Sequence, residues 1–145
     1  MLERYAYVLL NIEKYWSRLC AQDTVGKKVH VFVRKGTVGP KKAEILLFYV
    51  THPYKEIRGV GDFIERVIGD ADDLWNAYGH ESLLESHKEY MDFLQGRTKA
   101  TFIRFKNLRT LATPVPANIV FQATGISRMP RMGKYITKEV AHRLI

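Results

Sequence analysis

The stretch AEILLFYVT, residues 43–51, holds one charged residue, Glu44, in an otherwise almost wholly apolar run. It is far short of the roughly 20 residues that cross a bilayer, and its β-branched and aromatic residues favour a strand. A strand that is apolar on both faces needs material packed above and below it, so it belongs in the middle of a sheet. Whatever else this chain forms has to cover both sides of that strand.

The neighbouring segments supply more strands than helices. KKVHVFVRK, 27–35, sets Val29, Val31 and Val33 against His30, Phe32 and Arg34, the period of two of a strand with one buried face. EIRGVGDFIERVIG, 56–69, reads as a strand whose glycines, 59 and 61, mark a bulge or a close backbone approach. KATFIRFKNLRTL, from residue 99, reads as a long strand with basic and apolar residues alternating at first, and RYAYVLLNI, 4–12, as a short one. The loops are GTVGPKK at 36–42, HPY at 52–54, the Pro-rich TPVPAN at 113–118 and an irregular stretch over 124–136.

Helices fill the gaps. Asn11 is the expected cap of a helix to about Gln22, with Ile12, Trp16 and Leu19 on one face. An acidic helix covers 70–78, its carboxylates early, where the helix dipole favours them. Ser82 and Glu85 match a capping box for a helix to about Leu94, and Thr137 caps a terminal helix. Strands follow one another directly instead of alternating with helices, so the expected class is α+β with a mostly antiparallel or barrel-like sheet. The expectation is a single domain over 1–145 with a basic extension at about 125–145.

Charge is segregated along the chain. Residues 97–145 carry ten Lys or Arg against one acid, Glu139, whereas residues 1–96 are nearly balanced. The acids crowd into 70–92. Folding that keeps these regions apart gives a cationic face that concentrates polyanions. The single cysteine, Cys20, rules out an intramolecular disulfide and a cysteine zinc site, and fits a reducing, cytoplasmic setting. The five histidines make no metal motif, GTVGPKK is not a P-loop, and no cofactor is expected.

The succession of Gly26, Lys28 and Arg34, then Tyr49, Thr51 and Pro53, then Ile57, Gly59 and Gly61 resembles the PUA-like superfamily in its ASCH and EVE branches. It is most similar to an uncharacterised archaeal family there. The family's polar position before the arginine is filled by Phe32 or Val33, and residues beyond 125 fall outside its pattern. The resemblance implies a β pseudobarrel of about five to six mostly antiparallel strands with helices at its ends. It implies a module that binds RNA or a modified nucleotide through a basic cleft. A small hydrolase of modified nucleosides and a protein-interaction domain stay open as alternatives.

The residues expected to carry binding follow from their chemistry. Arg34 and Lys35 close a strand before a glycine loop, where a planar guanidinium can meet a phosphate. Arg104, Lys106 and Arg109 form a basic row, and Arg128, Arg131 and Lys134 sit in the late basic loop. Tyr49 and Tyr78 are candidate stacking groups, and Lys28 and Thr51 come from the resemblance. The expected arrangement is one groove lined by Arg34, Arg104, Lys106 and Arg131.

Overall fold

The computed structural model describes residues 4–37 and 39–145. In chain order the elements are β1 (Ala6–Asn11), α1 (Glu13–Thr24), β2 (Val29–Arg34), β3 (Ile45–Val50), β4 (Glu56–Asp70) and α2 (Ala71–Tyr78). After a 3-10 turn, Gly79–Glu81, come α3 (His87–Leu94), β5 (Lys99–Pro116), α4 (Ala117–Thr124), β6 (Lys134–Ile136) and α5 (Lys138–Leu144). The class is mixed α+β, with a six-stranded sheet in the order β2-β5-β4-β3-β1-β6. Only β1 and β3 pair in parallel; the other neighbours are antiparallel. The sheet is not closed: β2 forms one edge and β6 the other.

The apolar run does sit inside the sheet, between β1 and β4. Leu46, Phe48 and Val50 enter one core, with Trp16, Tyr90, Phe102 and Phe105. Ile45, Leu47 and Tyr49 enter a second, with Val120, Ala141 and Leu144. Thus α1, α2 and α3 cover one face while α4 and α5 cover the other. Burying each large side chain contributes roughly 1.5–3 kcal/mol, so β3 is the seam that joins the two cores.

The long β4 and β5 strands carry three register shifts, one between Ile57 and Gly59. Bulges of this kind sharpen strand twist. Gly59 is required there: a Cβ would stand 2.3 Å from the Trp16 ring. The glycine read from sequence as a close approach is the place where α1 lies against the sheet.

Several local expectations change. Asn11 does not cap α1, because it still pairs with Val50 as the end of β1; Ile12 takes the cap position with no side-chain bond. Both polar side-chain atoms of Asn11 are buried without a hydrogen-bond partner. The α3 cap is Ser86, which accepts from the Glu89 amide at 3.1 Å, whereas Ser82 accepts from the Leu84 amide and helps tie the preceding loop. Residues 113–116 continue β5, since Val115 and Pro116 still pair with β4. Helix α4 and edge strand β6 occupy ground expected to be turn and loop. Thr137 caps α5 as expected, accepting from Val140 at 3.2 Å.

Candidate functional site

Arg34 ends β2 at an edge of the sheet. Next to it opens a groove of about 720 Å³. Arg34 and Lys35 come from the strand end, Arg97 follows α3, and Arg131 comes from the segment between α4 and β6. Tyr15 of α1, Phe32 of β2 and Phe93 of α3 supply aromatic walls, and no Asp or Glu among the described residues lines the groove. A nearly wholly apolar niche behind it shares Tyr15, Phe32, Val33 and Phe93.

The electrostatics of Arg34 are unusual for a half-buried cation. Among the described residues it has no carboxylate partner; its guanidinium donates one long bond, 3.4 Å, to the Arg131 carbonyl. Burial works against its charged form, and the Tyr7 side chain nearby works the other way. Leaving a cation desolvated and unpaired costs free energy. An anion arriving there would relieve that cost.

The walls around Arg34 are fixed by neighbours. Tyr7 donates to the Met132 carbonyl, and burial pushes its hydroxyl pKa up against the pull of Arg34 and Arg66. Gly133 has a positive φ, 85°, and a Cβ there would stand 2.4 Å from the Val8 carbonyl. The 131–133 segment therefore lies flush on β1. Lys35 sits 5.1 Å from the Phe93 ring centre and bonds Gln95 at 3.2 Å. Arg66 donates to the Thr37 and Gly39 carbonyls and so holds the glycine loop after β2.

The remaining sequence candidates are dispersed. Arg104 reaches Glu81 at 2.9 Å and Glu65 at 2.5 Å, and lies 4.6 Å from the Tyr78 ring centre. Its charge and the Tyr78 face are thus occupied inside the protein. Arg109 pairs with Asp62 at 3.0 Å. Lys28 and Lys106 meet at another hollow, beside Lys27 and Asp23. Tyr49 is 5% exposed in the second core, and Thr51 donates to the Asn11 carbonyl at 3.4 Å. Arg128 is exposed on the segment after α4, and Lys134 lines a separate hollow at β6. So Arg34, Lys35 and Arg131 come together, while Arg104 and Lys106 lie elsewhere.

Sequence reasoning passed over Arg97, Tyr15 and Phe93 in this groove. Arg97 directly follows the Gln95–Gly96 helix end, where Gln95 is left-handed at φ 51°, and that reversal aims the chain back toward β2. The Gly96 signal marked the turn but not its direction. Among the described residues no group of three His, Cys, Asp or Glu could hold a metal ion. No helix among them is long and apolar enough to cross a membrane.

No protein-family model matches the chain, and no curated protein matches it. Solved structures do. An ASCH protein from Zymomonas mobilis is 24% identical with a TM-score of 0.79, covering 98% of this chain and 94% of that one. A protein of Rhodopseudomonas palustris is 14% identical, with a TM-score of 0.53 and 97% and 90% covered. The N-terminal domain of McrB from Staphylothermus marinus is 10% identical, also at 0.53, with 99% and 97% covered. These likenesses show the fold, which is that of ASCH and PUA-like domains.

Proposed function

We propose that this chain binds single-stranded RNA in the groove beside Arg34. The observation that carries the reading is the half-buried Arg34 guanidinium, unpaired among the described residues, at an acid-free opening. Arg34, Lys35, Arg97 and Arg131 offer charge to phosphates, and Tyr15, Phe32 and Phe93 offer apolar faces to bases. Side chains of both kinds around one groove are what unpaired strands need, because every base has a stacking face and every linkage an anion. A paired duplex hides its bases and makes the aromatic walls useless. The ASCH-like fold and the +8 net charge support the same reading.

The test is fluorescence anisotropy with a mixed-sequence RNA. Binding is expected at low salt, falling linearly on logarithmic axes as salt rises, with a slope of about 0.7 per phosphate neutralised. Absence of binding at low salt sinks the proposal. Nucleosides carrying a base modification belong in the same screen, since the apolar niche behind the groove would admit only a small addition to a base.

Turnover of a nucleoside is the second reading, and one group favours it. Burial pushes the Lys27 ammonium down to about 8, against the pull of Glu81 and Glu85. An amine near neutrality in a hollow is a candidate base or nucleophile. Lys27 already donates to Gln22 and the Ser82 carbonyl, at 3.0 and 2.8 Å, which favours a structural role. Product formation without affinity for RNA would reverse that preference.

A further inference from the structure

A second hollow, of about 360 Å³, is lined by residues 134–137, the continuation of the ridge whose Arg131 and Met132 line the groove beside Arg34. Arg4 ahead of β1 and Lys134 of β6 line it, with Thr124 and Thr137 beside them. Tyr135 of β6 also lines it, its ring 5.1 Å from the Arg4 guanidinium and edge-on to Tyr7 at 5.0 Å. We propose that this hollow is a second phosphate site, taking a phosphate of the same RNA strand that is bound at Arg34. The inference rests on the function proposed above and extends it from a nucleotide-sized ligand to a polymer that crosses the β6 edge.

Three observations carry it. First, neither hollow has an Asp or Glu in its lining among the described residues, whereas the hollows holding Lys28 and Arg109 both include Asp23. Glu139, the one acid of the last third, is turned to Arg143 at 2.7 Å. Second, neither Arg4 nor Lys134 forms an ion pair among the described residues; Arg4 lies over the Tyr135 ring. Third, the ridge between the hollows is short and fixed. Two residues, Met132 and Gly133, separate Arg131 from Lys134, at most about 10 Å of extended chain, and Tyr7 and the Gly133 approach clamp that segment to β1. Two acid-poor cationic hollows on one fixed segment at this spacing suit neighbouring phosphates of one strand, and β6 is an edge strand of the sheet.

The chemistry divides the labour. Arg34 supplies a planar, desolvated fork, so it holds one phosphate in a set orientation. Lys134 and Arg4 supply charge at a wetter site, which adds affinity without orientation. A mononucleotide engages the first site alone. A strand engages both, and the second contact is then intramolecular.

The experiment compares adenosine monophosphate with a mixed RNA of about 12 nucleotides, a length within the range a single small domain covers. Wild type, Arg34→Met, the double variant Arg4→Ala/Lys134→Ala, and Arg4→Lys/Lys134→Arg are titrated over a salt series. Arg34→Met is expected to weaken both ligands. The double alanine variant is expected to weaken only the longer RNA, by several-fold, and to lower its salt slope by about 0.7, the value for one phosphate contact. The charge-conserving variant should restore that slope. Circular dichroism confirms that each variant is folded. Unchanged affinity and slope for the long RNA in the alanine variant overturn the second site and leave the Arg34 groove standing. Wild type that binds neither ligand overturns both. Equal losses for both ligands in the alanine variant also overturn it, because they show one site and not two.

Discussion

Arg34 and Arg104 lie on paired strands only three positions apart in register: Arg34 faces Thr101 across the ladder, and Arg104 faces Val31. Both are half-buried. Arg104 is saturated, with Glu81 taking two of its nitrogens and Glu65 a third, and these bonds hold its proton more tightly than usual. Arg34 has a backbone carbonyl at 3.4 Å and, among the described residues, nothing anionic. Two arginines of equal formal charge therefore play opposite parts. One closes a network that the fold needs. The other keeps a charge that the fold gains little from, which supports the proposal that it serves a ligand.

The largest expected effect breaks the paired side. Arg104→Ala leaves Glu81, whose side chain is 13% exposed, without its cation. Stranding a half-buried carboxylate costs about 2–3 kcal/mol. Urea unfolding should show that loss, while RNA affinity of the folded variant stays within about twofold, since Arg104 lies outside the groove. A stable Arg104→Ala that fails to bind RNA would erase the contrast.

Arg34→Met sharpens it from the other side. RNA binding should weaken by about 1.5–3 kcal/mol, the range for a hydrogen bond to a charged group. Stability should move by no more than about 0.5 kcal/mol, because no buried carboxylate is stranded. Marked destabilisation would mean that Arg34 belongs to the fold after all.

A smaller effect concerns pH. His30 is fully buried, and burial, the largest influence, lowers its pKa in spite of the Asp23 bond at 3.0 Å. The unfolded chain therefore takes up a proton more readily than the fold does. This contribution to stability is complete above about 6.5, the ordinary histidine value, and is lost as pH falls below it toward the lower folded pKa. Unfolding midpoints from pH 8 to 5 should fall in wild type, and fall less in His30→Gln. An equal slope in both would show that His30 does not titrate in this way. The smallest effect is expected at Arg109→Ala, an exposed pair with Asp62: less than about 1 kcal/mol in urea unfolding and no change in RNA affinity.

Much of the fold was legible because its causes are local. The apolar run of β3 announced burial on two faces, alternation announced β2, and Gly59 announced a close approach that proved to be Trp16. Thr137 announced a cap. Legibility failed where a strand's partner outweighed local preference. Asn11 is a good cap residue, but pairing with Val50 holds it in β1. Pro116 looks like a turn residue, but it ends β5 opposite Glu56 and starts α4. The site was legible in part: Arg34, Lys35 and Arg131 share the groove, and Tyr15, Phe93 and Arg97 gave no signal because each is contributed by a different element.

The amino-acid order alone settled that this chain makes an α+β fold with a strand buried on both sides and that its cations are concentrated late. Those properties depend on periodicity and composition, which add up residue by residue. Which cation remains available was decided only by tertiary structure. Glu65 and Glu81, far apart in sequence, meet at Arg104, while Arg34, Arg97 and Arg131 converge where no acid among the described residues arrives. Charge is a property of a residue, but desolvation and pairing are properties of its neighbours, and those are chosen by the fold.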